Sequence, residues 1–109
     1  MFGRRIVIAT LCCLPWGPIA LAGESEQVAR GRQIAERACA PCHAIGTTGE
    51  SPRPQAPHFR EIGRKYPVDS LQEALAEGVV VGHPDMPQVK MSEADIGAFL
   101  AYLKTVQVP

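Results

Sequence analysis

Cys39-Ala40-Pro41-Cys42-His43 is the stretch that decides how this 109-residue chain folds. Two thiols three positions apart, followed at once by an imidazole, form the covalent attachment signature of a c-type haem. Each residue has its own task in that chemistry. Cys39 and Cys42 add across the two vinyl groups as thioethers, and His43 lies beneath the ring plane to donate a nitrogen to iron. Other uses of two cysteines fit less well. A thioredoxin-like pair wants a βαβ pattern with its first cysteine at a helix N-terminus. Here the cysteines follow a predicted helix. A zinc site needs two further ligands at good spacing, and only His58 and His83 could add nitrogen.

Upstream, Arg4-Arg5, the apolar run Ile6 to Leu14 and the A-x-A pattern Ala20-Leu21-Ala22 have the layout of a secretory signal peptide. Residues 1–22 are therefore expected to be a cleaved leader, with residues 23–109 the working domain. Pro15, Gly17 and Pro18 interrupt the run before the ~20 residues that a membrane span prefers. No stable membrane insertion is expected after cleavage. Haem attachment to such a motif takes place outside the cytoplasmic membrane, so the expected location is periplasmic.

Removing the leader takes away Cys12, Cys13 and Trp16, and also Arg4 and Arg5 of the 11 basic residues, while all 11 acidic residues stay. The slightly negative remainder is no footprint for nucleic acid. A domain this short has a core that is marginal alone, and a buried macrocycle would complete it.

Downstream and upstream of the motif, the pattern is helical with long loops. Glu26 to Ala38 reads as a helix capped by Ser25, with Val28, Gly31, Ile34, Ala35 and Ala38 on one face. Ala44 to Pro57 is loop, rich in Gly and Pro. His58 to Lys65 reads as a short helix. Ser70 to Glu77 reads as another, with Ser70 and Glu73 at capping-box spacing and Gly78 as the stop. Val79 to Met91 is loop, and Val79-Val80-Val81 is expected to line a pocket. The last helix starts at the caps Ser92 and Asp95 and runs to about Val106. Ile96, Phe99, Leu100, Leu103 and Val106 form its buried stripe. Gly31 lies on an apolar face, where a crossing helix could approach closely. Gly97 reads as ordinary tolerance. Glu61, Glu73, Glu77, Asp95, Lys65, Lys90 and Lys104 read as solvated helix faces.

A second iron ligand is sought in the loop before the last helix. Met86, in Gly82-His83-Pro84-Asp85-Met86-Pro87, is the favoured candidate, because a thioether is soft and neutral and His/Met ligation raises the reduction potential. Met91, His83 and His58 are the alternatives.

Together these residues resemble a small class I, monohaem bacterial cytochrome c. The marks are G-x-x-I-A-x-x-x-C at Gly31 to Cys39, C-x-x-C-H at Cys39 to His43 and A-P-x-F at Ala56 to Phe59. M-P at Met86-Pro87 and A-Y-L at Ala101 to Leu103 complete them. The resemblance implies an all-α fold with the first and last helices crossing, Gly31 and Ala35 facing Phe99 and Tyr102, and haem in the core. It implies that the Pro57 carbonyl accepts a hydrogen bond from the His43 ring. It also implies one covalent haem c with its iron held by His43 and Met86, and single-electron exchange with a redox protein donor and acceptor. No residue needed for enzymatic chemistry is evident. An open-iron gas-binding or peroxidatic protein is one alternative, and a haem subunit of a larger dehydrogenase or oxidase complex is the other. No Trp remains after the leader to hold a propionate, which leaves Tyr66, Arg53, Arg60 and Arg64 as candidates.

Overall fold

The computed structural model describes Gly3, residues 8–14, Gly17, residues 24–78 and residues 85–109. Regular structure is helical, with no strand among the described residues. Helix α1 spans Glu26–Ala38. Its start is fixed chemically: Ser25 is extended and its hydroxyl accepts the Val28 N–H at 3.1 Å, so one of the orphan donors of the first turn is satisfied. A 3₁₀ turn over Phe59–Glu61 runs into the short α2, Ile62–Lys65. A second 3₁₀ turn, Val68–Ser70, leads into α3, Leu71–Glu77. Gly78 ends α3 in the left-handed region, at φ 73°, where a residue without a Cβ sits at no steric cost. Helix α4 spans Glu93–Thr105, with Ser92 Oγ accepting the Asp95 N–H at 3.2 Å.

The capping box at the start of α3 does not form. Ser70 is already in helical conformation and its hydroxyl donates to the Pro67 carbonyl at 2.7 Å. A capping residue must be extended, and the preceding 3₁₀ turn removes that geometry. The Val79-Val80-Val81 run lies outside the described residues.

The two long helices cross and bury their apolar faces on each other. Gly31, Ile34 and Ala35 face Ile96, Ala98, Phe99, Leu100, Tyr102, Leu103 and Val106 in one cluster. Leu103 is fully buried, a placement worth about 1.5–3 kcal/mol for a side chain of its size. Ala38, at the end of the expected α1 stripe, is exposed instead. At the crossing, Gly31 meets the backbone of Ala98 and the Cβ of Tyr102. Phe99 packs edge-to-face on Phe59, with ring centroids 5.7 Å apart. Ala98 thus takes the place at Gly31 expected of Phe99, because Ala98 and Tyr102 are one helical turn apart and share a face.

Two charges expected to be merely solvated hold elements together. Asp95 pairs with Arg30 across the α1–α4 crossing at 2.6 Å, and Lys104 pairs with Asp69 at 2.6 Å. Both pairs are exposed, so each is worth at most about 1 kcal/mol.

Candidate functional site

The site begins where α1 ends. Cys39 is the C-terminal cap of α1, and its carbonyl accepts the N–H groups of Cys42 at 3.1 Å and His43 at 2.9 Å. This tight turn swings Cys42 and His43 back beside Cys39. Cys39 is buried, while Cys42 and His43 are half-buried. Burial pushes the Cys39 thiol up to about 11, so its sulfur is uncharged at neutral pH. A helix C-terminus also disfavours a thiolate. The setting suits an uncharged sulfur and does not suit a free thiolate nucleophile.

His43 is held from the Pro57 side. Its Nδ1 lies 2.8 Å from the Pro57 carbonyl oxygen. A carbonyl can only accept, so Nδ1 carries the proton and Nε2 keeps its lone pair. The imidazole ring lies tilted against Phe59, at 5.3 Å between centroids, and Phe59 in turn packs on Phe99 of α4. The ring is therefore fixed by one hydrogen bond and an aromatic relay into the helix crossing.

The loop between His43 and Pro57 is tied down at several points that local sequence does not announce. Ser51, buried within it, accepts the Ala44 N–H at 3.0 Å and donates to the Ala56 carbonyl at 2.8 Å. The Phe59 N–H donates to the Ala44 carbonyl at 2.9 Å, and the Arg53 N–H donates to the Cys42 carbonyl at 3.1 Å. Tyr102 of α4 donates its hydroxyl to the Ile45 carbonyl at 2.8 Å. Beyond α4, Gln107 donates to the Phe59 carbonyl at 2.7 Å and accepts the Gly63 N–H at 2.7 Å. Ser51 and Gln107 gave no motif signal; Ser51 acts through the two ends of its own loop, and Gln107 through partners distant in the chain.

Cys39, Cys42, His43 and Pro57 are thus brought together. Met86 is 36% exposed. Its neighbour Asp85 pairs with the Arg53 guanidinium at 2.9 Å, which links the Met86 segment to the loop that carries Pro57. Of the alternative ligands, Met91 packs against the core and donates its N–H to the Leu75 carbonyl at 3.1 Å. His58 is engaged by Arg60 at 3.0 Å and lies 3.3 Å from Glu50. His83 lies outside the described residues. The propionate candidates divide similarly. Arg53 pairs with Asp85, Arg60 donates to the Gly49 carbonyl, and Arg64 donates to the Pro109 carbonyl. Tyr66 is exposed.

Comparison with known proteins gives the chain's family. A cytochrome c-552 from Bradyrhizobium diazoefficiens is 29% identical over 77 residues, which cover 71% of this chain and 72% of that protein. No solved structure gives a significant match. The profile of the family described as cytochrome c matches residues 28–107, nearly all of the folded part from α1 to the residue that ties α4 to Phe59. The chain therefore belongs to the cytochrome c family, as a class I monohaem member whose cofactor is covalent haem c with its iron and whose work is haem-based electron transfer.

Proposed function

We propose that this chain is a periplasmic single-electron carrier, with residues 1–22 removed on export and residues 23–109 forming the working domain. Cys39 and Cys42 hold one haem as thioethers, and His43 and Met86 ligate its iron. The observation that carries this reading is the 2.8 Å contact between His43 Nδ1 and the Pro57 carbonyl. It commits the Nδ1 proton to oxygen, leaves Nε2 as the metal donor and raises the basicity of the imidazole.

The residues present fit the cofactor. The buried, uncharged Cys39 sulfur suits a thioether, and the packing of Met91 leaves Met86 as the thioether free to reach iron. When bound, the haem supplies a one-electron couple at its iron. The protein's part is to hold the two sulfurs and orient the imidazole. With His43 and Met86 both holding the iron, no position would remain for a substrate, and the protein would exchange electrons with a redox donor and acceptor instead of acting as an enzyme. The apolar leader residues Ile8, Leu11 and Leu14 are largely exposed and take no part in the core, which supports their removal. No helix among the described residues is long and apolar enough to cross a membrane.

The exposure of Met86 favours one second reading, an iron that binds gas or peroxide because its methionine is weakly held. Visible spectra of the purified holoprotein in both oxidation states, with carbon monoxide added to the reduced form, separate the two. A carrier is low-spin and leaves carbon monoxide unbound. Ready binding of carbon monoxide selects the open site.

A further inference from the structure

We propose that Ser51 is a positioning residue for His43 and, through it, sets the reduction potential. This rests on the reading of His43 as the iron ligand. Ser51 is a buried polar side chain, 8% exposed, in the loop between His43 and Pro57. Its single oxygen joins two backbone groups on either side of it in the same loop, accepting from the Ala44 N–H at 3.0 Å and donating to the Ala56 carbonyl at 2.8 Å. Ala44 follows His43, and Ala56 precedes Pro57. The hydroxyl therefore clamps the chain immediately beside both ends of the His43–Pro57 hydrogen bond. Both bridged residues are themselves buried, so water cannot easily take over the role. A hydroxyl both accepts and donates strongly through one small atom, which a methyl group cannot do.

The consequence is electronic. A well-held Pro57 carbonyl draws on the Nδ1 proton and makes the imidazole a stronger donor, which favours the oxidised iron. Without the clamp, the Pro57 carbonyl is less firmly held, the ring donates less, and the oxidised state loses more than the reduced one. Loss of the Ser51 hydroxyl thus raises the potential.

The test compares holoproteins by redox titration and by proton NMR of the oxidised form, following exchange of the hyperfine-shifted His43 Nδ1–H. Ser51→Ala is expected to raise the potential and speed that exchange. Ser51→Thr keeps the hydroxyl and should restore both. Should Ser51→Ala yield no holoprotein, Ser51→Cys, with weaker hydrogen bonds, should move both in the same direction by less. Val106→Ala, which loosens the buried cluster without removing either hydrogen bond of the clamp, should lower the melting temperature and leave both unchanged. The proposal is overturned by an unchanged or lowered potential in Ser51→Ala and Ser51→Cys, by failure of Ser51→Thr to restore it, or by an equal rise in Val106→Ala. An absent hyperfine-shifted His43 signal in the wild type removes the ligand reading itself, and with it the proposal. That outcome is distinct from a wild-type signal that Ser51 variants leave unmoved.

Discussion

Gly31 of α1 lies against the carbonyl group of Ala98 in α4. A Cβ built on Gly31 would collide with the Ala98 oxygen, and would lie 2.6 Å from the Ala98 carbonyl carbon and 2.8 Å from the Tyr102 Cβ. The neighbour is backbone, so it cannot rotate away. A side chain here forces the helices apart. Gly31→Val should destabilise the holoprotein by at least the 1–3 kcal/mol typical of overpacking. That is a fall in melting temperature of roughly 4–8 °C per kcal/mol for a domain of this size. Gly97 offers the control. A Cβ there would meet only the flexible end of Gln27, at 3.5 Å. Gly97→Ala should be neutral or stabilise by up to about 1 kcal/mol. Thermal melts of the two variants check both.

Met86 and Met91 should separate cleanly. Met86→Ala should open the iron, giving a high-spin or carbon monoxide-binding form with a lower potential. Met91 is packed and half-buried. Met91→Ala should keep the wild-type spectrum and cost stability, about 1–2 kcal/mol, below the range for fully buried methionine. Spectra and melts of the pair decide it. A wild-type spectrum from Met86→Ala would move the ligand elsewhere.

The Arg53–Asp85 pair should act as a latch on the Met86 segment. It is exposed on both sides, so its strength is about 0.2–1 kcal/mol. Asp85→Asn should let added imidazole displace Met86 more easily, by roughly 1.5–5-fold in affinity. Salt near 1 M should shrink that difference by screening. Imidazole titrations at low and high salt read both effects.

Tyr102 gives a pH dependence. Burial raises its phenol above the ordinary value, and the hydroxyl donates to the Ile45 carbonyl. The folded state therefore holds this proton more tightly than the unfolded chain. The stabilisation is complete below the unfolded phenol pKa of about 10 and fades as pH rises through the folded value. Tyr102→Phe should lose about 0.5–1.5 kcal/mol at neutral pH and flatten the alkaline limb of the stability curve. Denaturant melts across pH 7–11 would show it.

The two long helices were legible in the chain because their signals are local. Ser25 and Ser92 are side-chain caps, and the apolar residues of α4 recur at helical spacing down to Val106. Gly78 is a left-handed stop. The tight turn that gathers Cys39, Cys42 and His43 was legible for the same reason, since its residues are close in the chain. What could not be read depends on distant partners. Ser51, in a Pro-rich loop, looks like any turn serine, until Ala44 and Ala56 close on it. Gln107 and the Asp95–Arg30 pair acquire meaning only once α1, α4 and the Phe59 turn are packed together. Ser70 failed as a cap because it is itself the last residue of a 3₁₀ turn that is weakly marked in sequence.

Covalent attachment at Cys39 and Cys42 is the central claim, and mass spectrometry of the exported protein under denaturing conditions tests it most directly. The account predicts a chain starting at Gly23 with the mass of one haem added, and the peptide containing Cys39–His43 carrying it. That peptide recovered unmodified with two free thiols, or a protein holding stoichiometric zinc in place of haem, would contradict it.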